Sequence, residues 1–420
     1  MDLSLSSPPA PPRSSPLSCR RCCLASSPFS LLPPEVNAHV LSFLDPVDAV
    51  PAHRVCALWA HLGPRPVPFV SAYAAALAAR GNLDLLRWAR TNGCPWDASA
   101  CANAAKSGHL GVLQWLRDNQ CPWDASACAN AALHGHLDVL QWLRDNQCPW
   151  DSKTCANAAK SGHLGLLQWL KDNGCPWDES ACAYAAEGGR LRALQWLRTN
   201  GCPWDWHTWA GAAAAGHLDI LQWLVGAQCP CDGPTIFDDA ALNGHLHVLQ
   251  WAHTIQFWLD EPICAKAAKG GHLHILKWAR INGVPWNKWA CAYAAGNGHL
   301  DVLQWLRANG CPWDRLTCNY AAQNGHLDIL RWAHANGCPW NEEAYAHAAL
   351  SGRLDILEWL QVNGCPWSKT ACIFAADKGH LHVLEWLQAN GCPWDNDACA
   401  RAARRGYVDA LACLGSNQLA

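Results

Sequence analysis

The Trp of a recurring LQWL-type phrase falls at Trp88, Trp115, Trp142, Trp169, Trp196 and Trp223, a constant step of 27 residues. After one 28-residue step it resumes at Trp251, Trp278, Trp305, Trp332, Trp359 and Trp386. A fixed period of this length marks a stack of like supersecondary units, none of which can bury its apolar face alone. The 420-residue chain is therefore expected to form a linear array, not one globular core.

Each unit reads as two short helices and a turn. The residue after the turn Trp is Asp97, Asp124, Asp151, Asp178, Asp205, Asp232, Asp260, Asn287, Asp314, Asn341, Ser368 or Asp395. All twelve are side chains that can accept from the free amides of a first helical turn, which predicts a helix over about 98–107 and its equivalents. Gly108 and its counterparts end that helix in the left-handed conformation. The second helix covers about 110–118. Its Leu110, Leu113 and Leu116 form one stripe with Val112 and Trp115 beside it, a face too wide for a single pair. Pro95, Pro122 and their counterparts keep it from resuming. In the first helix Cys101, Ala104 and Ala105 share one face, and Asn103, Lys106 and Ser107 the other.

These phrases resemble ankyrin repeats. AAKSGHLGVLQWLRDNQ has the Ala-Ala helix, the Gly-His-Leu corner and the Leu-rich second helix of that family, over about residues 69–414. Two departures stand out. The unit is six residues short of the usual 33, with a CPWD turn where the family has its β-hairpin finger, and the Thr-Pro-Leu-His opening is missing. The resemblance implies an all-α solenoid of about thirteen stacked, finger-less helix-turn-helix repeats over residues 70–414, whose concave face binds protein. The array opens with a variant unit at Ala72–Arg80, with Asn82 in the place of the usual His. It closes with a polar unit at Asp397–Leu414 carrying Arg401, Arg404 and Arg405, followed by a tail over 415–420.

Ahead of the array, residues 1–30 are rich in Ser and Pro and are expected to be a disordered tail. The SCRRCC stretch there holds a single Cys-x-x-Cys, weak as a metal or lipidation signal. Residues 31–62, LLPPEVNAHVLSFLDPVDAVPAHRVCALWAHL, are too few to bury a core of their own. Leu32, Pro33, Glu35, Leu41, Ser42, Phe43, Leu44, Asp48, Val55, Cys56 and Trp59 resemble an F-box, while Pro51 and Arg54 depart from it. That resemblance implies a Skp-type adaptor of a cullin–RING ubiquitin ligase as partner. The adaptor-binding residues would be Leu32, Pro33, Val40, Leu41, Leu44, Val55 and Trp59, and the array would capture the ligase's target. The alternative is a binding scaffold with no ligase coupling. Residues 63–69, GPRPVPF, form a stiff linker.

Several chemistries are not expected. No apolar run reaches 18 residues, so no membrane partner is indicated. The net charge is −3 with no basic stripe, which argues against nucleic acid. The 25 cysteines lie mostly in two ladders, but Val284 and Trp209 replace members of them without loss of register, so bulk and apolarity are expected to matter there and no metal or cofactor is implied. The GHL histidines are expected to hold the corner between helices through backbone hydrogen bonds, and Arg190 and Arg353 substitute for them. The ladder Trp residues are expected in the core. No nucleophile–base pair, phosphate loop or paired carboxylates occurs at a unique place, so no catalytic residue is proposed and an enzyme is not expected. The cysteine usage suits an intracellular protein, cytoplasmic or nuclear, or in a host cell if the source is viral.

In an array the specific information lies where units differ. The candidate target-binding residues are therefore the variable outward positions of the first helices: Asn103, Lys106, Asn130, Asn157, Lys160, Tyr184, Glu187, Lys266, Lys269, Tyr293, Tyr320, Gln323 and His347. Trp206, His207 and Trp289, near helix starts, join them.

Overall fold

A computed structural model describes residues 70–392 apart from 233, 234 and 258. The expected tail at 1–30, F-box-like segment at 31–62, linker at 63–69, closing unit at 397–414 and residues 415–420 lie outside the described residues. Within them the chain is all-helical: 24 helices in twelve pairs, without strands. The first helices of the pairs are α1 (Ser71–Ala79), α3 (Ala98–Lys106), α5 (Ala125–His134), α7 (Ser152–Ser161), α9 (Glu179–Glu187), α11 (Trp206–Ala215), α13 (Asp238–Leu242), α15 (Glu261–Lys269), α17 (Lys288–Gly296), α19 (Arg315–Asn324), α21 (Glu343–Leu350) and α23 (Lys369–Lys378). The second helices are α2 (Leu83–Thr91), α4 (Leu110–Asp118), α6 (Leu137–Asp145), α8 (Leu164–Asp172), α10 (Leu191–Thr199), α12 (Leu218–Gly226), α14 (Leu246–Thr254), α16 (Leu273–Ile281), α18 (Leu300–Ala308), α20 (Leu327–Ala335), α22 (Leu354–Val362) and α24 (Leu381–Ala389).

The described residues divide into two compact units, 70–158 with 165–176, and 159–164 with 177–392. In the first, α1 packs on α3 and α3 on α5; in the second, first helices pack in succession from α9 to α23. Each unit is thus a stack of helix pairs. The small side chains make that contact possible: Cys101, Ala104, Ala105, Cys128, Ala131 and Ala132 are buried, as are Leu113, Leu116, Leu140 and Leu143 from the second helices.

The helix starts follow the expected chemistry where an amide is available. Asp97 Oδ1 accepts from the Ser99 amide at 2.9 Å, and Asp124, Asp151, Asp178, Asp205, Asn287 and Asp314 cap in the same way. The Ser99 hydroxyl adds a second bond and holds the Asp97 carboxyl below the usual carboxylate range. Three other expected caps do not form. Asp260 makes none because the residue that would donate is Pro262, which has no N–H. The Ser368 hydroxyl pairs with that of Thr370 at 2.8 Å instead. At Asn341 the helix starts one residue late, after Glu342. After the 28-residue step α13 is shortened to five residues and begins beyond Phe237.

The corner histidines hold successive pairs together. A carbonyl only accepts, so Nε2 carries the proton where His136 donates to the Lys106 carbonyl (3.2 Å), His272 to Leu242 (2.8 Å) and His299 to Lys269 (3.1 Å). In each case the bond crosses to the preceding repeat. Arg190 Nε makes the equivalent bond to the Lys160 carbonyl at 3.4 Å, which explains how arginine substitutes.

The tryptophan expectation needs correction. Every ladder Trp among the described residues is half-buried, not core. The turn Trp meets the second-helix Trp of its own repeat edge-on, as in Trp96–Trp115 (5.8 Å, 77°) and Trp286–Trp305 (5.9 Å, 81°). In many repeats its other face is covered by a guanidinium from the preceding helix, as with Arg90 over Trp96 at 4.0 Å, Arg117 over Trp123 at 4.2 Å and Arg307 over Trp313 at 4.1 Å, whereas Trp340 stacks on His334 at 3.9 Å. A ring too large for the Ala-lined interior thus packs at its edge and keeps one face for a cation.

The cysteine ladders turn out to be pairs. Cys372 Sγ lies 3.7 Å from Cys392 Sγ, and Cys101 and Cys121 are likewise hydrogen-bonded to each other. The turn thiol also donates back one repeat, Cys121 to the Asp97 carbonyl at 3.5 Å and Cys311 to Asn287 at 3.5 Å. Bulk and apolarity therefore do not account for the turn position alone; the S–H donor has a use. Burial pushes the Cys264 and Cys365 thiols up to about 12, so they stay protonated at neutral pH. Where both cysteines of a pair are absent, Phe237 and Phe257 take their places and meet edge-on at 4.8 Å.

Candidate binding face

The first helices present three registers of outward side chains, and the repeats differ there. In the first unit the register is polar and committed to the scaffold. Asn130 Nδ2 donates to the Ala102 carbonyl (3.2 Å) and Asn157 Nδ2 to Ala129 (2.9 Å), so both amides tie one repeat to the one before. Asn103 is half-buried and Lys106 exposed.

In the second unit three groups form along the same registers. Lys160 Nζ is 2.7 Å from Glu187 Oε1 and 5.5 Å from the Tyr184 ring centre, a self-satisfied cluster. Trp206 stacks on His207 at 3.8 Å, and His207 Nδ1 lies 2.7 Å from Asp205 Oδ2. The third group is the largest. Trp289 sits one turn before Tyr293 on α17, with ring centres 5.6 Å apart, and Tyr320 on α19 lies 6.4 Å from Trp289 and 6.2 Å from Tyr293. The two Tyr rings are within 6° of parallel. All three side chains are half-exposed. Gly296 makes room for this arrangement, since a Cβ there would come within 3.0 Å of the Tyr320 Cβ. Sequence variation pointed to the three aromatics; the role of Gly296 was hidden, because a lone Gly inside a helix reads as a mere weakness.

On one side of the aromatic group, α15 carries Lys266 and Lys269 in the same registers. Lys266 Nζ is 3.9 Å from Asp238 Oδ2, beyond hydrogen-bonding distance, and Lys269 is exposed. Asp238, 6% exposed, has its carboxyl pushed up to about 6 by burial, with Lys266 opposing. On the other side, Gln323 and His347 are half-buried. His347 lines an open groove of about 660 Å³ with Glu342, Glu343, Trp367 and Phe374; its Nδ1 has no partner, and burial lowers its basicity. Among the described residues, no group of three or more His, Cys, Asp or Glu side chains could hold a metal ion, and no helix is long and apolar enough to cross a membrane.

Sequence-family models for ankyrin repeats match residues 318–418 in a three-copy form, and residues 101–144, 264–307 and 288–334 in a many-copy form. Ankyrin repeats are detected over those residues. A fold built from ankyrin repeats is typically a non-catalytic binding scaffold, and it suggests protein–protein interaction. No curated protein matches the chain. Solved structures similar to it include two of the pentatricopeptide repeat protein PPR10 in complex with an 18-nt psaJ RNA element, one of them a cysteine-to-serine variant. Each is 14% identical, with 91% of this chain and 67% of that chain covered and a TM-score of 0.35. At that TM-score the likeness carries no argument for a shared ligand.

The expected partner set is corrected by these findings. Neither the similar structures, which hold RNA, nor the ankyrin-repeat matches support a Skp-type adaptor, so that expected partner is dropped. The matches begin at residue 101, leaving the F-box resemblance of residues 31–62 without support. Leu32, Pro33, Val40, Leu41, Leu44, Val55 and Trp59, the expected adaptor contacts, lie outside the described residues.

Proposed function

We propose that the chain is a protein-interaction scaffold whose principal contact surface is the outward face of α15, α17 and α19. The observation that carries this is the cluster of Trp289, Tyr293 and Tyr320: three large rings left half-exposed although the Ala-Ala faces of their own helices are fully packed. Trp and Tyr dominate binding hot spots, and clustered aromatics on a rigid element lose little entropy on binding. The asparagines at the same register in the first unit are bonded to the preceding repeat, so they contribute to the stack more than to a partner. Ligase coupling forms no part of this proposal, because the adaptor it requires is unsupported.

The test is quantitative affinity purification of the full chain from its native cell, set beside Trp289→Ala/Tyr293→Ala/Tyr320→Ala. Partners retained on the wild type should fall at least tenfold on the triple variant while helical circular dichroism is unchanged. An identical partner profile would count against the proposed surface.

A further inference from the structure

The aromatic cluster has a one-sided charge environment that narrows its partner. Lys266 and Lys269 sit on α15 at the registers that Tyr293 and Gly296 occupy on α17, and α15 packs directly on α17. Lys266 Nζ makes a long ion pair with Asp238 Oδ2 at 3.9 Å, and Lys269, which is exposed, has no ion-pair partner among the described residues. The other cations near the cluster are matched: Lys288 Nζ lies 2.8 Å from Asp314 Oδ2, and Arg315 Nε lies 3.4 Å from Glu343 Oε2. The unpaired positive charge beside the aromatic floor, among the described residues, is therefore that of Lys269 at its α15 edge.

Building on the protein-binding reading above, we infer that this floor takes a short extended peptide whose Trp, Tyr or Pro side chain lies on Trp289, Tyr293 and Tyr320 and whose adjacent carboxylates meet Lys266 and Lys269. Helices packed 8–10 Å apart put α15 and α19 roughly 16–20 Å apart, the length of about five or six extended residues. Flat rings accept aromatic and proline faces, and exposed ammonium groups with empty donor positions accept carboxylates. A single-stranded nucleic acid offers flat faces too, but it would carry a phosphate past each of Asp314 and Glu343 with Lys269 the one unpaired lysine to receive it. The geometry favours the acidic peptide.

The test uses the full chain and three fluorescein-labelled probes in an anisotropy titration: a peptide with Trp-Pro at its centre flanked by Asp, the same peptide flanked by Lys, and an oligothymidylate. The Asp peptide should saturate, weaken with salt, and bind at least tenfold more tightly than the Lys peptide. Lys269→Glu and the charge-neutral Lys266→Gln/Lys269→Gln should each weaken it at least fivefold. Equal binding of the two peptides, indifference to the lysine variants, or tighter binding of the oligothymidylate would each overturn the inference. Loss of partners on the triple aromatic variant with no acidic-peptide binding would leave the scaffold reading standing and remove this one alone.

Discussion

The imidazole of His299 lies directly over Gly271 of the preceding repeat. A Cβ on Gly271, whose φ is +76°, would come within 2.7 Å of His299 Cε1, and His299 Nε2 sits 3.1 Å from the Lys269 carbonyl two residues earlier. The corner glycine is therefore required twice, once for the left-handed backbone and once for the ring that covers it. Gly271→Ala should cost about 2–4 kcal/mol, the sum of strained φ and overpacking. His299→Ala should cost about 1–2 kcal/mol. Because both act on one contact, the double variant should lose less than the sum. Urea unfolding followed by circular dichroism checks this; full additivity would show that the two are not coupled.

The other left-handed position behaves differently. Most turns after the second helix use Gly, as at Gly93 and Gly174, where a Cβ would meet nothing within 4 Å. Gln120 and Gln147 hold the same conformation at φ +62° and +61°. The strain there comes from the backbone alone. Gln120→Gly and Gln147→Gly should each stabilise the chain by roughly 0.5–1 kcal/mol, and by additive amounts, in the same urea titration.

Asp238 makes the stability of the second unit depend on pH. Its folded carboxyl is raised to about 6 from an ordinary value of 3.8, chiefly by burial. A raised acid contributes stability that is complete below the unfolded value and is lost as pH rises through the folded one, so the loss falls between about pH 4 and pH 6. Asp238→Asn should therefore raise the melting temperature at pH 7.5 and have little effect at pH 4. The stabilisation should be on the order of 1–3 kcal/mol, the larger figure being the full shift and the smaller allowing for the Lys266 ion pair that the substitution removes. A benefit of equal size at both pH values would exclude this carboxyl as the source.

The Phe237–Phe257 contact replaces a thiol pair, and a double-mutant cycle can show it. Phe237→Cys should cost about 2–3 kcal/mol through the cavity it leaves beside Phe257. Adding Phe257→Cys should cost less than it does in the wild type, with a coupling of about 1 kcal/mol. Zero coupling would mean that the two rings pack independently.

Much of the fold was legible because the period, the cap residues and the corner glycines are all local signals. Failure at Asp260 was legible too, since Pro262 occupies the donor position. The Trp rows were not. Composition reports that Trp96 is apolar, but only coordinates show that one edge meets Trp115 while Arg90 covers a face, leaving the ring half-exposed. The binding register was legible in part. Variation between repeats singles out Tyr293 and Tyr320 and equally Asn130 and Asn157, and no pattern in one sequence separates a side chain offered to a partner from one bonded across to its neighbouring repeat.

Site-specific photo-crosslinking tests the account most directly. Benzoylphenylalanine would be placed at Tyr320, on the aromatic floor, and in a second chain at Ile281, which is 85% exposed at the end of α16. Irradiation in the native cell should yield a discrete crosslinked partner from position 320 and none from position 281. Equal crosslinking from both positions, or crosslinking from 281 alone, would contradict a partner surface on α15, α17 and α19.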